Sequence, residues 1–369
     1  MSASDLHPQL HHMATAASGD QPHHTGSDHT HPEAHQHVAH TEECPACAAG
    51  RNDHPLPKEV IDMMASREHR MHHWLWHEVR NNWYQYPHDI QQKIDELGWK
   101  PPRPVLDEGG NPNIENDSGE DFLYMHRQMI GDVNAILKQV GDPNYPRVQG
   151  WLVPPPPDDA SYPVPPAWFD PGGQDQAPFA NLDRIKSNIF YEKRFHFWQK
   201  AFIDPVFLRS VTLGKLGVII EMTIHNAMHM RWAASTGTVR PDPLQATGDI
   251  DPTRGGVIGV EWDDPRYDFL GDTYSSHVNP IFWKLHGWID DRVEGWKIAN
   301  GVFGNSFWKG TWIGKMPGHE EMAAPHALHG MPEHAVSLMA ESQQVVNLIA
   351  QTGVFHHNPF MPSFSIEAW

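Results

Sequence analysis

The chain has 369 residues, enough to bury a sizeable core in one large domain or two smaller ones. Its 46 acidic residues against 27 basic ones give a formal net charge of −19. That charge excludes the clustered Lys and Arg that phosphate binding needs, and with them a nucleic-acid partner. No run of about 18 apolar residues occurs, so no membrane-spanning helix is expected, and 2 cysteines cannot staple the fold with disulfides.

Residues 1–54 are rich in His, Ser, Ala, Asp and Gly with almost no periodic apolar positions, and are expected to be disordered. Histidines recur there at positions 11, 12, 23, 24, 29, 31, 35, 37 and 40, followed by Cys44 and Cys47 in a CxxC pair. Two readings stand: a tail that gathers a soft metal on thiolates and imidazoles, or a solvated segment with incidental metal affinity. The first twenty residues hold no apolar core of a secretory signal, so a cytoplasmic protein is expected, with export on a partner's signal left open.

Farther along, Val60, Ile61, Met64, Met71, Leu75 and Val79 recur at roughly helical spacing. They predict one helix over 58–84, ended by Tyr86 and Pro87 because the residue before Pro is pushed out of the α region. Residues 100–120 are turn-rich. A second helix is predicted over 121–140, opened by the cap signals Asn116, Asp117 and Ser118 and stopped at Gly141. Residues 151–173 (WLVPPPPDDASYPVPPAWFDPGG) cannot be helical and are read as an extended surface loop. Helices are predicted over 185–202, 213–233, 279–298 with Pro280 in the tolerated first turn, and 332–352. Strand signals are few and short, as at 256–261. The expected fold is mainly α: a tail over 1–54, a helical domain over 55–310, and a C-terminal segment over 311–369 whose helix packs on that domain.

Four segments carry the chemistry: 71–77 (MHHWLWH), 124–130 (YMHRQMI), 225–229 (HNAMH) and 279–290 (NPIFWKLHGWID). They supply six histidines in two sets of three, each set with two residues four apart and a third on a later apolar segment. Positions i and i+4 share a helix face, so both rings can converge on one ion. Three-plus-three imidazoles suit a coupled pair of copper ions, and nitrogen-only ligation leaves room for a small molecule such as dioxygen. His72 competes with His73 but has Trp76, not His, at i+4; His69 is read as lying in a second layer or at the surface. A carboxylate-bridged di-iron site wants ExxH pairs and a zinc hydrolase wants HExxH, and these segments offer neither.

With those residues in view, HHWLWHEV resembles the first copper motif of arthropod hemocyanins and prophenoloxidases, and FLYMHRQMI resembles the helix of their third ligand. HNAMH is similar to the first half of their second copper site, a motif shared with tyrosinases. NPIFWKLHGWIDD resembles the last ligand helix, with Asn279 where the family usually has Asp. The resemblance runs over residues 55–301 in the family's order. It implies a type-3 copper domain with a four-helix ligand core and two copper ions, one on His73, His77 and His126, the other on His225, His229 and His286. It further implies a phenol oxidase that uses dioxygen to convert monophenols or o-diphenols to o-quinones. Hemocyanin-like reversible dioxygen binding and o-aminophenol oxidation are the alternatives. Expected partners are a phenolic small molecule or tyrosine-containing substrate, dioxygen and a copper donor protein.

This sequence departs from the family in a turn-rich insert over 100–120, in an extended gap through 238–266, in Leu285 where tyrosinases commonly carry a second histidine, and in being too short for a three-domain hemocyanin subunit. Asn226 stands where tyrosinases hold, together with a Glu, a water that takes the phenol proton; Glu221, one turn earlier, is the nearest candidate for that Glu. Asp290, one turn after His286, is a candidate to orient a ligand imidazole, and Phe282 to pack on the ligands. His196 and His277 are each read as a polar core residue, with a substrate contact as the alternative. Trp232, Trp262 and Tyr274 are candidates to line an entrance.

Overall fold

Apolar periodicity over 58–84 does produce helix, but in two pieces. In the computed structural model, which describes residues 55–167, 177–234, 260–315 and 333–352, α1 (Lys58–Met64) ends before Ser66 and α2 (Arg67–Asn82) begins after it. Ser66 takes an extended ψ of 145°, and its Oγ accepts from His69 N at 3.4 Å, an N-cap that restarts the helix. α3 (His88–Glu96), absent from the sequence reading, opens after Pro87 and buries Ile90 and Ile94, one turn apart.

The cap signals at 116–118 act earlier than expected. α4 (Ser118–Val140) starts at Ser118, whose N–H donates to Asn116 Oδ1 at 3.0 Å, and it ends at Gly141 in the left-handed conformation, φ 72°. α5 (Ala177–Lys186) leads into α6, a continuous run of Asn188–Phe190, a π-helical turn Tyr191–Phe195, and His196–Ala201. α7 (Pro205–Ser210), also unpredicted, is capped by Asp204. α8 joins Leu213–Ile220, a second π-turn Glu221–His225, and Asn226–Trp232. α9 (Pro280–Asn300) has Asn279 Oδ1 on Ile281 N at 3.0 Å and Pro280 in its first turn, as its sequence predicts. α10 (Glu333–Thr352) buries Val345, Val346 and Ile349 and packs against α2 and α3.

The fold is mainly α. Among the described residues no strand forms, and the one β-bridge joins Leu106 and Pro112. Of the expected strand at 256–261, residues 260–261 belong instead to the 3-10 turn Val260–Asp263; 256–259 lie outside the described residues, as do the tail with its CxxC pair and residues 168–173 of the Pro-rich segment. No described helix is long and apolar enough to cross a membrane.

Two devices set the helices around the site. Gly119 of α4 and Gly217 of α8 let the backbones touch: a Cβ on Gly217 would stand 2.1 Å from Gly119 O. Arg80 of α2, with its side chain fully buried, donates to both oxygens of Glu221 on α8 (2.8 and 3.2 Å) and to Ser118 O on α4 (3.0 Å). Its guanidinium also lies 4.3 Å from the Trp76 ring. Glu221 is therefore a buried bracket between helices, bonded to Arg80, and does not face solvent.

Candidate metal centre

The i, i+4 pair His73 and His77 projects from α2 with ring centroids 4.8 Å apart, and α4 adds His126 at 5.7 and 5.5 Å from them. Ligand nitrogens of these three come within 4.8 Å of one another. On α8, His225 and His229 stand 4.6 Å apart, and α9 adds His286 at 5.1 and 5.4 Å. The π-turn of α8 ends at His225, so the widened helix lies at the ligand itself. By nitrogen spacing the second group is His126, His225 and His286; His229 joins by ring contact, a looser fit than the family's set implies. His126 stacks on His286 at 4.4 Å and 12°, which makes six rings one continuous cluster with His126 at its junction.

Every one of the six residues is at most 3% exposed. Five of the six have a placed Nδ1 partner: His73 with Thr273 O (2.5 Å), His126 with Phe122 O (2.9 Å), His286 with Phe282 O (2.9 Å), His229 with Leu270 O (2.7 Å) and His225 with Asn226 Oδ1 (3.0 Å). A carbonyl can only accept, so the proton sits on Nδ1 and Nε2 carries the lone pair. For His73, His126 and His286 that Nε2 is buried with no hydrogen-bond partner, a costly arrangement unless an ion takes the lone pair. Burial lowers His73 to about 3 and His225 to about 4, and holds His77, His126, His229 and His286 well below the usual histidine value. The rings are neutral at pH 7, the form that binds a metal. The nitrogen-only donors of these residues fit copper, which His73, His77 and His126 on one side and His225 and His286 with His229 on the other would hold.

The carboxylates stay out of the cluster. Glu78, raised by burial to about 7, accepts from Asn82 (2.7 Å) and Tyr86 (3.1 Å). Asp290 pairs with Arg127 at 2.6 Å, so it does not orient a ligand ring; backbone carbonyls do that instead. His72 turns away to Ile313 O (2.5 Å) and the Trp99 ring. His69 is buried, its Nδ1 3.2 Å from Ser66 Oγ. His196 is not a core residue: its side chain is 45% exposed and pairs with Glu192. His277 is buried against His73, Nδ1 to Nδ1 at 3.1 Å. Phe282 stacks on His286 at 3.7 Å. Trp232, Trp262 and Tyr274 are buried, at most 4% exposed.

Sequence reasoning missed Phe122, which packs 4.6 Å from His126 and 4.8 Å from His225. A signal was available: FLYMH and FWKLH repeat one FxxxH pattern, with the histidine bonded to the carbonyl of its own phenylalanine in both.

No family model matches the chain. Phenoloxidase subunit 1 of Manduca sexta is 22% identical to it over 245 residues, which is 60% of this chain and 30% of that protein. The chain thus spans less than a third of the relative's length. A distant phenoloxidase likeness and two buried histidine groups together point to the type-3 copper class of oxidases and hemocyanins.

Proposed function

We propose that the protein is a dicopper oxidase of phenols, with one copper on His73, His77 and His126 and the other on His225, His229 and His286. The observation that carries this reading is the pair of buried, neutral, nitrogen-only histidine groups joined through His126. Copper bound there would supply the redox chemistry that reduces dioxygen while a monophenol or o-diphenol becomes an o-quinone. The chain's own part is to fix ring tautomers through Nδ1, to keep carboxylates away, and to exclude water with Phe122, Phe282 and Trp76.

A second reading, reversible dioxygen binding, is favoured by the near-complete burial of all six residues, which suits a diatomic ligand better than a ring-sized one. The deciding experiment loads the purified protein with copper, counts the metal, and then offers monophenols, o-diphenols and o-aminophenols while oxygen uptake and quinone colour are followed. Two coppers per chain with turnover are expected. Two coppers with reversible oxygen uptake and no turnover would establish the carrier; fewer than two coppers would overturn both. We assign residues 1–53 a copper-gathering role, in which a donor protein could hand metal to the tail. Their deletion should slow loading at scarce copper and leave the loaded enzyme's turnover unchanged.

A further inference from the structure

The stretch between the turn Val260–Asp263 and α9 supplies no ligand, yet it grips one ring from each set. Thr273 O holds His73 Nδ1 at 2.5 Å, and Leu270 O holds His229 Nδ1 at 2.7 Å. His277, from the same stretch, places Nε2 2.9 Å from Met64 O and Nδ1 3.1 Å from His73 Nδ1. Because its Nε2 must donate to that carbonyl, His277 turns a lone pair toward His73, whose Nδ1 proton is shared between Thr273 O and His277.

Little regular structure steadies this loop beyond the short turn Ser276–Val278. Its fixed points are polar. Arg70, on α2 three residues before His73, is fully buried and donates Nη2 to Asp264 O and Tyr267 O (both 2.9 Å) and Nη1 to Tyr274 O (3.2 Å). Its Nε is taken by Ala65 O at 3.0 Å. Those carbonyls bracket Leu270 and Thr273 in the chain. Inside the bracket, the Asp272 carboxylate accepts from Tyr267 OH (2.7 Å), Ser275 Oγ (3.2 Å) and Tyr274 N (3.0 Å).

We propose that Arg70 is a positioning residue for both metal sites: through the loop it pins, it fixes the tautomer and orientation of His73 in one set and His229 in the other. One guanidinium thereby couples the two halves of the centre without touching either. The inference rests on the dicopper reading. Arginine suits the task because its rigid fork reaches several carbonyls at fixed angles, which an ammonium cannot do.

The test measures affinity for both copper equivalents by chelator competition, together with thermal stability, in the full-length protein and four variants. Arg70→Gln should weaken both equivalents about 10–100-fold, the range for partners that orient ligands, and Arg70→Lys should fall between it and wild type. Asp272→Asn, which loosens the loop from inside, should act in the same direction and serves where Arg70→Gln does not fold. Leu137→Ala, about three turns beyond His126 on α4, should lower stability and leave copper affinity alone. Wild-type affinity in the folded Arg70 and Asp272 variants, weakening of one equivalent alone, or an equal loss in Leu137→Ala would overturn the proposal while leaving the dicopper reading intact. A wild-type protein that binds fewer than two coppers would overturn that reading, and the proposal with it.

Discussion

His126 is the residue on which the two sets depend together, since its ring nitrogen belongs to both close-spaced groups and its face stacks on His286. His126→Ala should therefore remove the first copper and weaken the second, whereas His77→Ala should remove the first alone. Metal counting after dialysis checks this, and two tightly held coppers in His126→Ala would refute the ligand assignment. Asn226 is a different case. Its Oδ1 lies 3.0 Å from His225 Nδ1, and Glu221, the candidate for its partner in holding a water, is bound to Arg80. The amide contact would orient His225, a ligand in the proposed second site. Asn226→Ala should cost about 10–100-fold in affinity for the second copper, and the loss of activity should be equal on monophenols and o-diphenols. A loss confined to monophenols would restore proton handling to Asn226.

At the level of elements, the touching backbones of α4 and α8 place His126 beside His225, with centroids 6.0 Å apart. Gly217→Ala would force the helices apart, at a cost of about 1–3 kcal/mol for overpacking, and it should loosen both coppers because His126 moves. Urea denaturation gives the first quantity and metal counting the second. The same elements show what a sequence can disclose. α4 and α9 are legible within a few residues because periodicity, cap signals and terminal glycines agree, and α10 from its apolar periodicity. The break between α1 and α2 was not, since Ser66 looks like any polar position inside a helix until its Oγ is seen capping His69. The π-turn before Asn226 was also unreadable, being a product of tertiary packing. HxxxH spacing disclosed the rings, but Thr273 and Leu270 hold them through backbone carbonyls, and a carbonyl leaves no residue signature.

For the whole molecule, the consequence of burying so many neutral histidines is acid lability. An unfolded histidine takes its proton near pH 6.5, whereas in the fold His72 and His225 are held at about 4 and His73 at about 3, in each case mainly by burial. Between those limits the unfolded chain binds more protons, so stability is complete above pH 6.5 and is lost as pH falls through the window. At pH 5 each of these three rings costs about 2 kcal/mol, against a total stability of roughly 5–15 kcal/mol for a domain. His77, His126, His229, His277 and His286, all lowered by burial, push the same way. Glu78, Glu221 and Asp272 are raised by burial, so they gain protons on folding and oppose the trend, but they are fewer. The metal-free protein should therefore melt at steadily lower temperature from pH 7 down to pH 5. Copper, competing with protons for the same nitrogens, should move that acid limb to lower pH. Melting curves of the metal-free and copper-loaded protein across this range provide the check: a flat metal-free profile would mean that the folded and unfolded chains take up protons alike, and coincident profiles would mean that the metal does not reach the rings.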